Sequence, residues 1–471
     1  MAACLHYFKN NLLAMRKIVL MILWIAPYLS QGQSAEINFR IKDFKDSIAY
    51  IGYHFGHQKY LMDTLPVSED RFSMKVNQPK QGIYFIYTPS YYFEFVMDGK
   101  SFGLETSVSG GYDQLKVSGS KENELFRSFQ VEIGGLQKKQ RSFVERLKEA
   151  TGEDSVRIMK DIREVNVQME DVRKKLISEN DQSFVAAFLR LMRDPDVPSL
   201  DSISDESQRK MQRYTYYKSH FFEEGQLQDG RLLRTPLLYP KVTKYFDEVV
   251  IQQPDSLIRE LDWFFGQIKH DEESFRYWLV TLFKKYAESK VMGMDAVMVH
   301  MIENFYLTGR ASWISEEYEK TLREEVAYVK PNLIGKQAPP INAVDTLMQA
   351  FSFSDIQTGY TLLFIYDPDC GHCKKSVKKL EEVDGRMAEL DITVVALCTT
   401  TDVSRWKKFV ASHNPMWVHL IDPTGKSYFR VSYDVRSTPR IYLLDADKRI
   451  LAKRLEIDQF LDVVERMKEG L

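Results

Sequence analysis

Cysteine is scarce in this chain, four among 471 residues: Cys4, Cys370, Cys373 and Cys398. A fold stapled by disulfides would carry more, so a disulfide framework is excluded. Excess charge of one sign is missing too. Lys and Arg number 64 against 66 Asp and Glu, and a nucleic-acid partner would need a basic excess or patch. No apolar run reaches the ~20 residues of a membrane span, which excludes a polytopic membrane protein. Proline is absent between Pro89 and Pro195, a stretch free to form long helices. From about 121 to 330 there is no HExxH, no Gly-rich phosphate loop and no nucleophile elbow. What remains is ordinary globular usage, 44% apolar and 28% charged, over a length that suggests about three domains. The 13% aromatic content is read as core filling.

The N-terminus has the form of a secretory signal peptide over residues 1–35. Met15-Arg16-Lys17 is a charged lead, with Met15 an alternative start, and Ile18 to Leu29 is apolar apart from Pro27. Ser30 and Gly32 then place small residues at −3 and −1 of a cut, and Ala35 offers a second. This pattern places the mature chain in the periplasm or cell envelope, with an uncleaved membrane anchor as the alternative. No cysteine follows the apolar run, which argues against a lipid anchor.

Residues 36–120 read as a β-sandwich-like, antiparallel domain. Ile37 to Ile41 and Phe72 to Val76 alternate apolar with polar, and Gly82 to Tyr87 and Tyr91 to Met97 are aromatic and β-branched. His54 and His57 flank Gly56 at a hairpin; a turn or surface placement accounts for them more economically than a metal. Residues 121–335 read as helical. Ile158, Ile162, Val165, Met169, Val172 and Leu176 form a heptad-like stripe, and Thr151-Gly152 separates it from an earlier one, as in a helical hairpin. Further helices are expected near 207–224, 241–250, 255–268, 272–287, 292–307 and 314–328.

After a linker at Pro331-Asn332 and Gly335 to Pro340, residues 336–471 alternate strand and helix. Thr361 to Tyr366 and Thr393 to Cys398 are continuous apolar runs, the mark of strands buried on both faces. A hairpin turns at Asp445 to Lys448, and a helix closes the chain. The order predicts an α/β domain with a mixed central sheet and helices on both faces.

The chemistry sits in Asp369-Cys370-Gly371-His372-Cys373. Thiols at i and i+3 of a first helical turn share one face, within bonding reach. Cys370 caps the helix, where free N–H groups and the macrodipole favour an anion and lower its pKa below ~8.5. Cys373 sits one turn inside, shielded and placed to resolve a mixed disulfide. Gly371 leaves the first thiol uncovered, and a protonated His372 adds positive charge beside it. Lys374 and Lys375 act in the same direction, at about 0.6 kcal/mol for a unit charge ~7 Å away in water; Asp367 and Asp369 oppose them. A thiolate favoured in this way makes the disulfide more oxidising. Other uses of CxxC stay open here. Zinc would need a second pair and would have to improvise one from Cys398. Haem attachment needs CxxCH, but Lys374 follows. A structural disulfide would be an odd use of so tight a loop at a helix start.

This segment resembles the thioredoxin superfamily, specifically the TlpA/ResA-type thiol–disulfide oxidoreductases of bacterial envelopes. The matching pieces are the Phe364-Ile365-Tyr366 strand, the CGHC dithiol, and Val435-Arg436-Ser437-Thr438-Pro439 before the Ile441 to Leu444 strand. The resemblance implies that Pro439 is cis and lies beside the dithiol, and that the backbone at Thr438 pairs with an extended substrate. The buried acid that many thioredoxins carry six residues before the first cysteine is Phe364 here, which leaves a proton relay there without a carrier. Cys398 is expected to be a buried, inert thiol.

The expectation is a secreted oxidoreductase exchanging disulfides with envelope proteins, with Cys370 attacking, Cys373 resolving, and a membrane electron donor or acceptor as a further partner. It calls on no cofactor, metal or nucleic acid. Two alternatives stand beside it: an envelope interaction protein whose N-terminal regions dock a partner while the dithiol only regulates, and a metal chaperone.

Overall fold

The computed structural model describes residues 34–414 and 416–469. The expected leader falls on residues outside these, apart from its last two positions. The chain forms two compact units, one up to Val249 and one from Val250.

In the first unit, β1 (Ser34–Lys42), β2 (Ile48–Phe55), β3 (Gln58–Pro66), β4 (Arg71–Asn77), β5 (Gly82–Tyr87), β6 (Tyr92–Met97), β7 (Phe102–Ser107) and β8 (Lys116–Ser118) make two four-stranded sheets. Their orders are β4-β1-β7-β8 and β3-β2-β5-β6. Pairing is antiparallel except between β1 and β7, which run parallel. The alternation in β1 turns Ala35, Ile37, Phe39 and Ile41 inward. They share one core with Ile51, Ile86 and Phe95 of the facing sheet. Phe39 stacks on Phe72 at 4.9 Å and meets Phe95 edge-on at 5.3 Å, so its ring joins the two layers. The two-residue Gly56-His57 turn links β2 to β3. His57 is exposed, but His54 is buried on β2 with Nε2 3.2 Å from Glu94 Oε1, so it is a paired rim residue and not a surface one.

Helices follow: α1 (Lys121–Leu147), α2 (Gly152–Glu179), α3 (Phe184–Arg190), α4 (Glu206–Ser219) and α5 (Leu238–Lys244). Buried Asn123 ties α1 to the sheet, accepting the Val96 N–H at 2.9 Å and donating to its carbonyl at 2.7 Å. The heptad stripe buries Ile158, Val165, Met169 and Leu176 where α2 packs on α1. The short α3 escapes a periodicity reading because it makes only two turns; Glu122 accepts its first N–H groups at 2.9 and 3.0 Å.

The second unit opens with α6 (Pro254–Gln267), α7 (Glu272–Ala287), α8 (Met294–Met301) and α9 (Glu316–Val329) around Phe264, Phe265, Trp278 and Leu279. Then come β9 (Tyr360–Tyr366), α10 (Gly371–Glu382), α11 (Asp384–Glu389), β10 (Ile392–Cys398), α12 (Val403–Val410), β11 (Val418–Ile421), α13 (Phe429–Ser432), β12 (Arg440–Leu444), β13 (Ile450–Lys453) and α14 (Ile457–Glu469). The five strands are ordered β11-β10-β9-β12-β13. β9, β10 and β11 run parallel; β12 and β13 are antiparallel to their neighbours. One face packs Phe364 and Tyr366 against α10, α12 and α14. The other packs Leu363 and Ile365 against α13 and residues 338–343. This is the mixed, doubly covered sheet that the alternation predicts.

The junction expected at 335/336 lies inside this unit. Its Pro- and Gly-rich stretch is not slack: Gly335 and Ala338 donate to the Ile450 and Lys448 carbonyls, each at 2.8 Å. Lys453, 3% exposed, pairs with Asp295 of α8 at 2.5 Å and donates to Asn332 at 2.7 and 2.9 Å. Polar partners that sequence spacing cannot reveal therefore weld α6–α9 to the sheet. Among the described residues no helix is long and apolar enough to cross a membrane.

Candidate active site

β9 and β10 end side by side, Tyr366 opposite Cys398, and the chain leaving β9 turns straight into α10. Asp367 shapes that turn: its carbonyl accepts the Cys370 N–H at 3.1 Å, and its carboxylate accepts the Asp369 N–H at 2.8 Å and the Thr399 hydroxyl at 3.4 Å. Cys370 caps α10 in an extended conformation (φ −68°, ψ 120°), and its carbonyl takes the first helical bond, from Lys374. Its sulfur is thereby set at the end of the helix where N–H groups are free.

The two thiols sit in different surroundings. Cys370 is partly exposed, and its Sγ donates to the Thr438 carbonyl at 3.5 Å. Cys373, one turn on, is 1% exposed within the apolar cluster on that face of the sheet. Burial works against a charged Cys370 sulfur, but the Cys373 N–H, the Cys373 thiol, Thr438 and the His372 N–H outweigh it and bring its pKa below the ordinary thiol value. Burial pushes the Cys373 thiol up to about 11. The same cause pushes Cys398, also 1% exposed, up to about 11.

The Thr438–Pro439 peptide is cis, and its loop lies against the dithiol. The site residues read from the sequence, Cys370, Gly371, His372, Cys373, Thr438 and Pro439, are thus gathered at one end of the sheet. His372 is exposed and supplies its backbone N–H to the Cys370 sulfur. Asp369 does not oppose the thiolate as a free charge, because Arg405 of α12 pairs with it. Phe364 is fully buried beside Cys373 in the same cluster, so the position of the usual acid is apolar. Among the described residues no group of three or more His, Cys, Asp or Glu is arranged to hold a metal ion.

One part of the site is invisible in the sequence. Asp434, 1% exposed and at φ 47°, accepts from Arg436 at 2.5 Å and from Arg440 and Arg454 at 3.2 Å each, just before the cis-proline loop. Arg436 also reaches Glu325 of α9 at 2.5 and 3.1 Å. These partners are 111 residues apart, and no local pattern marks them.

A thiol–disulfide oxidoreductase of thioredoxin fold is the class that this strand–dithiol–helix unit and its cis-proline define. Residues 333–465 match the family model described as Redoxin, and that part of the chain belongs to the thioredoxin superfamily. No curated protein matches the chain. Among solved structures, a domain described as a possible thiol–disulfide isomerase from Cytophaga hutchinsonii is 32% identical, over 30% of this chain and 97% of that one, with a TM-score of 0.27. A conserved protein of unknown function from Bacteroides fragilis is 30% identical over 28% and 98%, with a TM-score of 0.26. A thioredoxin-like protein from Bacteroides caccae is 17% identical over 58% and 97%, with a TM-score of 0.41.

Proposed function

We propose that this protein is a secreted thiol–disulfide oxidoreductase that exchanges disulfides with proteins of the cell envelope through Cys370 and Cys373. The observation that carries the reading is the opposite tuning of two neighbouring thiols, one reachable and favoured as an anion, one enclosed and held as a thiol. In the reduced protein the Cys370 thiolate attacks a client disulfide. A mixed disulfide forms and one client sulfur leaves, taking up a proton. Cys373 then loses its proton and attacks the Cys370 sulfur, releasing the second client thiol and leaving a Cys370–Cys373 disulfide. The client is reduced by two electrons and the dithiol oxidised by two. Running in reverse, the disulfide oxidises a client dithiol. A membrane donor or acceptor would reset the pair.

The leader pattern supports export, and the fold favours one of its two cuts. Cleavage after Gly32 leaves β1 whole, whereas cleavage after Ala35 would remove Ser34 and Ala35 from their pairing with Asn77 and Val76.

Replacing Cys373 with Ala is the direct test. Mixed disulfides should accumulate through Cys370 in cells of the source organism, and their client halves can be identified by mass spectrometry. An absence of adducts, together with no titratable dithiol in the unaltered protein, would overturn the reading. Equilibration against glutathione then fixes the direction of exchange.

A further inference from the structure

The loop carrying the cis-proline is gripped from outside the five-stranded sheet. Glu325 and Tyr328 stand at i and i+3 on α9, so they share one helix face. Glu325 takes Arg436 in a two-pronged ion pair, at 2.5 and 3.1 Å, and the Tyr328 ring lies under the same guanidinium at 4.8 Å. The third side of that guanidinium goes to Asp434, itself held by Arg440 of β12 and by Arg454. Two residues beyond Arg436 comes Thr438, whose carbonyl receives the Cys370 thiol at 3.5 Å. Charge-assisted hydrogen bonds therefore tie a helix that precedes the thioredoxin-like segment to Arg436, two residues along the chain from the backbone that faces the attacking sulfur. Such bonds are short and directional, and a forked guanidinium–carboxylate pair fixes orientation as well as distance.

Building on the exchange activity proposed above, we propose that Glu325 and Tyr328 are positioning residues for it: α9 holds the Thr438–Pro439 loop, through Arg436, at the height where an extended client segment can pair with it. Cys370 itself is placed by Asp367 and α10, which these ion pairs do not touch, and the loop adds to that the one thiol–carbonyl contact from Cys370 to Thr438 at 3.5 Å. Loss of the grip therefore weakens docking of a polypeptide client more than it weakens the sulfur chemistry. Misplacing a docking element by as little as ~1 Å can cost up to about a hundredfold, and a loop still held by Asp434 should lose less.

The experiment compares two disulfides with the reduced full chain: insulin, a polypeptide client, and cystamine, which has no backbone to pair with the loop. Glu325→Gln should raise KM for insulin about tenfold with kcat little changed, and leave the cystamine rate within about twofold. Glu325→Asp, which keeps the charge, should restore most of the loss. Equal losses toward both disulfides, or unchanged kinetics toward both, would overturn the proposal while leaving the oxidoreductase reading intact. A wild-type chain inert toward both disulfides would overturn that reading and this proposal with it. Should Glu325→Gln fold poorly, Tyr328→Leu gives the same comparison with the ion pair retained.

Discussion

From β1 to β8 the sandwich encloses Phe39, Phe72, Phe95 and their apolar neighbours together with the rings of Tyr84 and Tyr91, and its buried His54 lies against a partly exposed Glu94. The second unit encloses Cys373, Cys398, Asp434 and the Lys453–Asp295 pair. Both regions are built on sheets with aromatic cores, yet one keeps charge at its edges and the other takes it inside. The difference follows from how the strands are covered. A sheet buried on both faces can place chemistry only at strand ends and at the joints between layers, and groups placed there must be tuned by what surrounds them. In the sandwich, burial raises the phenols of Tyr91 and Tyr112, groups that stay uncharged at neutral pH with or without the shift.

That contrast predicts where the molecule is sensitive. The largest effect should be on the resolving step. Cys373 is a thiol at neutral pH, and its pKa of about 11 means that the reacting thiolate grows about tenfold per pH unit. Burial, the largest cause, persists in a Cys370 mixed disulfide while the Cys370 charge does not, so resolution should speed up by about a hundredfold or more from pH 7 to pH 10, as read by stopped-flow fluorescence. A flat profile would reveal a base acting in place of the acid that Phe364 displaces. Next comes Lys453→Met, which leaves Asp295 enclosed without its cation. It should destabilise the second unit by about 3–5 kcal/mol in urea titrations, and adding Asp295→Asn should recover much of that loss. A loss under ~1 kcal/mol would mean that the pair behaves like a surface bridge. Last, Phe39→Ala should cost the sandwich about 3–4 kcal/mol, equally at pH 6 and pH 8, while cystamine reduction stays unchanged. A pH-dependent cost would show that the sandwich core is coupled to a titrating group after all.

The sequence made some of this legible and not the rest, for physical reasons. Continuous apolar runs announced β9 and β10, and alternation announced β1 and β4, because burial on two faces or on one is written directly in residue order. The dithiol and Thr438-Pro439 were legible because their chemistry depends on neighbours in the chain. β3 was missed: seven of its first residues are exposed, so Tyr60, Leu61 and Met62 show no alternation. β8 was missed as a three-residue strand between turns, and β7 because Phe102 and Leu104 are its only large apolar residues, with Gly103 between them. The Asp434 cluster, the Arg436–Glu325 pair and the Lys453–Asp295 pair were out of reach because each joins residues that meet only after the chain has folded. The stretch from Gly335 to Pro340 reads as a linker by composition, yet tertiary hydrogen bonds fasten it along β13.

Gly371 has one more consequence. A methyl group built on it would meet nothing within 4 Å, and the backbone there is helical. No neighbour in the protein forbids a β-carbon at this place, and a first-turn position also tolerates a missing N–H. The identity of the spacer is accordingly decided by whatever molecule comes to the door. Exchanging Gly371 and His372 for other pairs would retune preference and voltage on an otherwise untouched scaffold.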